Sequence, residues 1–282
     1  MSAGKREQRG FLRAAGHQLE FRWIEPAIPD RPVLVFLHEG LGSIAQWKAF
    51  PDAVAADTGC AALVYSRYGF GGSDPLVGPR DVTYLEHEAL VVLPAVLEAR
   101  GIVDPILIGH SDGATIALLH ASDHRWPTRA LVIEAPHVFV EDVALTAIAR
   151  ARDAYRDSDL RRKLARYHRD VDAMFSGWAE TWLHPEFRAW NMEWRLPGVR
   201  CPVLLIQGLD DPYGSIAQVN AITRQASRAV QTMLLPECAH APHVEREHEV
   251  REAIVRFITA LMAPRRLSSC SPGLPRTDDD DG

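Results

Sequence analysis

The chain has 282 residues, of which 47% are hydrophobic, and this is enough to bury one large core in a single domain. Its formal net charge of −6 argues against a surface that binds nucleic acid in general. Because the basic N-terminus lacks an apolar signal core and no apolar stretch approaches the roughly 18 residues that span a bilayer, we expect a soluble, cytoplasmic protein without a membrane segment.

Apolar runs along the chain predict strands that alternate with helices. The first is an opening hairpin from Phe11 to Glu25 that turns at Ala15-Gly16. Further strands are predicted at 32–38, 61–66, 104–109, 129–134, 202–206 and 231–235. Helices are predicted at 82–100, 112–122, 215–227 and 245–261. Such alternation is typical of a mostly parallel sheet with helices on both faces, so we predict an α/β fold.

Two glycine-bearing loops follow the first internal strands. Residues 38–43 read His-Glu-Gly-Leu-Gly-Ser after the strand at 32–38. Residues 66–74 read Ser-Arg-Tyr-Gly-Phe-Gly-Gly-Ser-Asp after the strand at 61–66.

The pentapeptide Gly109-His110-Ser111-Asp112-Gly113 lies between a predicted strand and a predicted helix. A G-x-S-x-G pattern in that position is typical of a nucleophile elbow, a sharp turn that exposes the serine hydroxyl above a sheet. The bare pattern is expected by chance in roughly one chain in ten of this length, so the strand and helix around it carry the inference. Ser111 is therefore the candidate nucleophile.

A serine nucleophile needs a base to take its proton and a third group to orient that base. Asp210 and Asp211 follow the strand at 202–206, and His240 and His243 follow the strand at 231–235. The order serine, acid, histidine is that of an α/β-hydrolase. On this evidence alone, either aspartate could be the acid and either histidine could be the base.

With these motifs, the chain resembles the α/β-hydrolase family from about Phe11 to Met262, and in particular serine esterase-like members with a helical cap. The resemblance implies that 38–43 is the oxyanion loop and 66–74 the family's glycine-rich loop. It favours Asp211, three residues after the strand-end glycine. It also favours His240, although Ala239 replaces the usual preceding glycine.

The resemblance also implies an oxyanion hole, in which two backbone N–H groups stabilise the developing negative oxygen. We expect the amides of Asp112 and Gly40, while Glu39 at a position where glycine is usual could shift the second donor to Leu41. The Asp112 carboxylate suits the first turn of a helix. We expect Glu39 to pair structurally with Arg67.

Domain boundaries follow from the interval His137 to Pro197, which has helical periodicity and no convincing strand. We predict a hydrolase core formed by 1–136 and 198–263, a helical cap at 137–197, and a disordered polar tail at 264–282. The scattered cysteines indicate neither a disulfide framework nor a zinc site. These are Cys60, Cys201, Cys238 and Cys270.

The predicted cap contains Trp178 and Trp182, and then Trp190 and Trp194, each pair sharing one helix face at i,i+4 spacing. The rings could pack the cap onto the core or line a substrate pocket. For substrate contact we favour Trp178 and Trp182, which precede the His184-Pro185 break.

These features predict a serine hydrolase that cleaves a carboxylic ester or lactone of a small apolar or aromatic substrate through an acyl-enzyme. It would need no cofactor and no metal, and its partner would be a small molecule rather than nucleic acid or membrane. Three alternatives stay open: a carbon-carbon bond hydrolase of ring-cleavage dienoates, a coenzyme A thioesterase, and a non-catalytic ligand receptor.

Overall fold

The computed structural model describes residues 7–263, which form one eight-stranded sheet in the order β1-β2-β4-β3-β5-β6-β7-β8. β1 and β2 form an antiparallel hairpin that pairs antiparallel with β4, and the strands from β3 to β8 run parallel. The strands are β1 Glu7–Ala14, β2 His17–Ile24, β3 Leu34–Leu37, β4 Ala62–Tyr65, β5 Ile106–His110, β6 Ala130–Glu134, β7 Val203–Gly208 and β8 Val230–Leu235.

Helices connect these strands and cover both faces of the sheet, which confirms the predicted α/β fold. They are α1 Phe50–Thr58, α2 Tyr84–His87, α3 Leu93–Ala99, α4 Asp112–Ser122, α5 Asp142–Asp157, α6 Leu160–Leu164, α7 Val171–Trp182, α8 Ile216–Gln225, α9 Pro242–Glu245 and α10 Glu247–Met262. Within 7–263, none of the helices has the length and apolar character needed to cross a membrane.

The central strands are buried on both faces because their side chains alternate between two hydrophobic layers. Val35 and Leu107 pack into one layer, and Phe36 and Ile108 pack into the other. Every residue of β3, β4, β5, β6 and β7 is buried. This rigid sheet fixes the positions of the loops at its carboxyl edge.

Residues 137–197 contain α5, α6, α7 and short 3₁₀ segments, with one isolated bridge between Phe139 and Asn191 as their only strand-like pairing. The tail predicted at 264–282, with Cys270, lies outside the described residues. So does the start of the chain before Glu7.

Two local predictions differ from the structure. The helix predicted at 82–100 is interrupted by a π-helical turn, Glu88–Val92, just before Pro94. Because Pro94 has no N–H to donate to the carbonyl four residues earlier, a regular α-helical ladder cannot continue through it. Helix α1 was not predicted, since its small core residues Val54 and Ala55 give a weak helical pattern.

Candidate active site

Ser111 forms the turn between β5 and α4 at the carboxyl edge of the sheet. Its φ of 53° and ψ of −117° are sparsely populated for a residue with a side chain. Two hydrogen bonds hold it there, from the Ser111 N–H to the Glu134 carbonyl at 2.9 Å and from the Thr115 N–H to the Ser111 carbonyl at 3.0 Å. The hydroxyl consequently borders a cavity above the sheet.

Gly113 lets the start of α4 pass in contact with the end of β3. A Cβ at this position would lie 1.9 Å from the carbonyl oxygen of Leu37. Since that obstacle is backbone, it cannot swing aside. The second glycine of the elbow is thus required by close approach.

We therefore expect Gly113→Ala to lower the free energy of unfolding by about 3 kcal/mol or more, because the methyl group must displace a central strand. Gly10→Ala is the matched control, since a Cβ there would meet only the Phe21 ring at 3.4 Å. Urea unfolding of both variants measures the difference. Equal stability of the two would contradict the close approach at Gly113.

The structure brings Ser111, His240 and Asp211 into one hydrogen-bonded chain. His240 Nε2 lies 2.9 Å from Ser111 Oγ, and His240 Nδ1 lies 2.9 Å from each carboxylate oxygen of Asp211. Asp211 also accepts from Gln207 Nε2 at 2.9 Å and from the Tyr213 N–H at 2.8 Å. Burial alone would raise the pKa of Asp211, but His240 foremost, and then the Tyr213 N–H, lower it. The ionised carboxylate fixes Nδ1 as a donor, so Nε2 is free to accept the serine proton.

The competing residues lie apart from this chain. Asp210 is exposed, and its carboxylate forms no hydrogen bond or ion pair with residues 7–263. His243 is buried, and both its Nδ1, at 2.9 Å, and its backbone N–H, at 3.1 Å, donate to Glu134 Oε2. Burial would raise the pKa of Glu134, yet the His243 imidazole lowers it. His243 therefore forms an internal hydrogen-bonded pair with Glu134 and takes no part in the chain that ends at Ser111.

The expected oxyanion donors lie beside Ser111. Asp112 is the first residue of α4, and Gly40 and Leu41 border the same cavity. Within residues 7–263, the N–H groups of both Gly40 and Leu41 lack a hydrogen-bond acceptor, so either could donate to a bound oxygen. The Trp178 indole leaves no room at Gly40, where a Cβ would lie 2.2 Å from its Nε1. Both amides, of Gly40 and of Leu41, are candidates for the second oxyanion donor.

The Asp112 carboxylate faces the protein core, where it is held by Tyr84 and Arg67. Its Oδ2 accepts from the Tyr84 hydroxyl at 2.8 Å, and Arg67 lies 3.5 Å away. The Tyr84 hydroxyl in turn accepts from Trp182 Nε1 at 2.9 Å. Burial first, then the nearby Asp112, raises the pKa of Tyr84 well above its usual value, so the phenol remains a donor. No sequence motif pointed to Tyr84, because its two hydrogen-bond partners, Asp112 and Trp182, come from distant segments.

The expected pairing of Glu39 with Arg67 is wrong. Arg67 donates to the Glu39 backbone carbonyl at 2.9 Å, whereas the Glu39 carboxylate faces His110 Nδ1 at 3.6 Å. The fully buried guanidinium lies under the loop, within reach of its carbonyls but not of its side chain. Burial opposes both charges, yet the pair lowers the pKa of Glu39 and raises that of His110. His38 Nε2 accepts from the Arg67 N–H at 3.0 Å and so holds the loop.

The cavity above Ser111 has a volume of about 270 Å³. One wall is apolar and comes from the segment 137–197, namely Ala144, Ile148, Leu164, Trp178 and Trp182. Besides Ser111 and His240, the polar residues that line it are Glu39, Gln46, His110, Asp112, His137 and Tyr213. Among the described residues that line it, there is neither lysine nor arginine.

The other cap tryptophans lie elsewhere. Trp190 stacks on Phe187 and donates to Glu86, and Trp194 is 72% exposed. Only the first predicted pair therefore borders the cavity. Nowhere in 7–263 do three or more His, Cys, Asp or Glu side chains converge as they would around a metal ion.

Known proteins show the same organisation. Residues 34–253 match the model of the alpha/beta hydrolase family. A 2-succinyl-6-hydroxy-2,4-cyclohexadiene-1-carboxylate synthase of Klebsiella pneumoniae (strain 342) is 32% identical over 149 residues, which are 52% of this chain and 53% of that protein. The chain thus spans about half the length of this curated relative.

Solved structures extend the likeness to most of the chain. The enol-lactonase from Burkholderia xenovorans LB400 has a TM-score of 0.67 at 17% identity and covers 89% of this chain and 100% of its own. A thermophilic esterase from Thermogutta terrifontis has a TM-score of 0.66 at 20% identity and covers 91% of this chain and 100% of its own. At these identities the likeness shows a shared fold.

Proposed function

The chain belongs to the α/β-hydrolase family, and on that premise we propose that it cleaves a neutral carboxylic ester or lactone through an acyl-enzyme. The observation that carries the proposal is the hydrogen-bonded chain from Asp211 through His240 to Ser111, which ends in a largely apolar cavity. Acyl transfer from a serine requires such an arrangement.

In the proposed reaction, Ser111 Oγ attacks the ester carbonyl while His240 Nε2 takes its proton. The Asp112 N–H and an amide of the 38–43 loop stabilise the oxyanion, and His240 then protonates the departing alcohol. Water activated by His240 hydrolyses the acyl-enzyme and restores Ser111. Asp211 stabilises the imidazolium in both steps.

The charges around the cavity favour a neutral substrate. The Glu39 carboxylate borders it, whereas none of the described residues that line it is a lysine or arginine. A dienoate carboxylate or the phosphates of coenzyme A would find no lysine or arginine there, and the His110 imidazole already faces the Glu39 carboxylate. The name of the Klebsiella relative describes a carboxylate compound, and the lack of lysine and arginine around this cavity argues against a substrate of that charge. The apolar wall suits an alkyl or aromatic group.

A panel of 4-nitrophenyl esters, a ring-cleavage dienoate and an acyl-coenzyme A, assayed with the purified protein, tests this proposal. We expect kcat/KM for the neutral esters to exceed that for either anionic substrate by at least about tenfold. Faster turnover of the dienoate or thioester would favour the corresponding alternative. A folded protein that binds esters but does not hydrolyse them would support the receptor.

The cap tryptophans are expected to determine acyl preference. If their rings contact the acyl group, Trp178→Ala and Trp182→Ala should each lower the benzoyl-to-acetyl ratio of kcat/KM by about tenfold, because a truncated ring mainly weakens binding of the larger group. Trp194→Ala is the control, since that ring is exposed and outside the cavity. Ratios equal to that of wild type would assign both rings to packing alone.

A further inference from the structure

His137 differs from the other buried histidines between residues 7 and 263. Its ring makes no hydrogen bond to any of these residues, although it is 3% exposed and its Nδ1 is fully buried. Each of the others uses at least one ring nitrogen within the protein, namely His38, His110, His120, His168 and His243. A buried polar ring without a partner is unfavourable, so we expect a ligand to reach Nε2, the ring nitrogen that is not fully buried.

The position of His137 is fixed by its backbone. Thr115 Oγ1 donates to the His137 carbonyl at 2.7 Å and accepts from its N–H at 3.1 Å. Gly214 packs against the ring edge that carries Nδ1, where a Cβ would lie 3.4 Å from Cε1 and 3.6 Å from Nδ1. The imidazole is therefore held in place without using its own hydrogen-bonding groups.

The ring borders the cavity between the proposed base and the aromatic wall. Its centroid lies 5.9 Å from that of His240 and 5.2 Å from that of Trp182. Burial, and then the neighbouring His240, lowers the pKa of His137 to about 4. At neutral pH the ring is uncharged and offers one N–H donor and one nitrogen acceptor.

We propose that His137 is a specificity-determining residue that hydrogen-bonds a hydroxyl or carbonyl substituent of the substrate close to the scissile ester. The inference rests on the proposed ester hydrolysis and narrows its substrate class to hydroxy- or oxo-substituted esters or lactones. A neutral imidazole suits such groups, because a hydroxyl can donate or accept and a carbonyl can accept. An unsubstituted ester would leave the ring unpaired, and sites built to bind a hydroxyl reject analogues that lack it.

The test compares phenyl butanoate with its 3-hydroxy and 3-oxo derivatives, and propyl butanoate with 2-hydroxyethyl butanoate, by titrating the acid released. We expect wild-type kcat/KM for at least one substituted ester to exceed that of its parent by about tenfold or more. In His137→Phe this preference should fall to near unity. His137→Gln keeps a neutral donor and acceptor and should retain part of it. His124→Phe, at an exposed position, should keep the full preference.

Hydrolysis of the parent esters without preference for any substituted ester would overturn the role of His137 and leave ester hydrolysis standing. A preference that survives in His137→Phe would also overturn it. If His137→Phe does not fold, wild type and His137→Gln decide the matter. A preference in wild type that is only partly retained in His137→Gln supports the role, and a preference absent from wild type or undiminished in His137→Gln overturns it. No hydrolysis of any ester would overturn the proposed function and this inference together.

Discussion

Ser111→Ala is expected to lower kcat for neutral esters by about 10⁴- to 10⁶-fold, because the variant has no hydroxyl to form the acyl-enzyme. Alanine can occupy the same backbone conformation, so the fold should remain intact. Steady-state kinetics and the melting temperature measure the two effects. A serine-directed phosphonate should label Ser111 in the wild-type protein.

Ser158→Ala is the control for this substitution, since Ser158 is an exposed residue at the end of α5. It should retain wild-type turnover and phosphonate labelling. If Ser111→Ala hydrolyses esters at the wild-type rate, or the phosphonate labels another residue, Ser111 is not the nucleophile.

Asp211→Asn is expected to lower kcat by about 10⁴-fold, because an amide facing His240 Nδ1 favours the wrong imidazole tautomer. Asp210→Asn should remain close to wild type, since that carboxylate is exposed and contacts no described partner. The two adjacent substitutions, compared at equal folded yield, form a matched pair. A larger loss of kcat in Asp210→Asn than in Asp211→Asn would show that Asp210 is the residue that orients His240.

His240 and His243 can be distinguished by comparing turnover with the free energy of unfolding. His240→Ala should abolish turnover without a large loss of stability, whereas His243→Ala should lower the free energy of unfolding by about 3 to 5 kcal/mol. The reason is that His243→Ala removes the imidazole and leaves the buried Glu134 carboxylate with only the backbone N–H of residue 243 as a donor. Loss of turnover in folded His243→Ala, with His240→Ala active, would contradict the assignment.

Local sequence was sufficient to predict the elbow. The run from Ile106 to Ser122 encodes a strand, a tight turn and a helix through nearest neighbours, and α4 has the predicted bounds. The family resemblance, which rested on several motifs in order, is confirmed by the match of residues 34–253 to the family model.

Tertiary contacts decided what the local pattern could not. Asp210 and Asp211 differ in burial rather than in sequence context, and the partner of Glu39 depended on which side chain the fold brought near it. Tyr84 and His137 have no motif, because their roles arise from segments far apart in the chain.

Both cavity tryptophans are connected to residues expected to form the oxyanion hole. Trp178 packs against Gly40, and Trp182 is linked to Asp112 through the Tyr84 hydroxyl. If the proposed roles hold, a mutation that reshapes the cavity wall should therefore also disturb the expected oxyanion donors. Under selection for a new substrate, this protein would meet a trade-off, in which each gain in fit requires a compensating change near the 38–43 loop before turnover recovers.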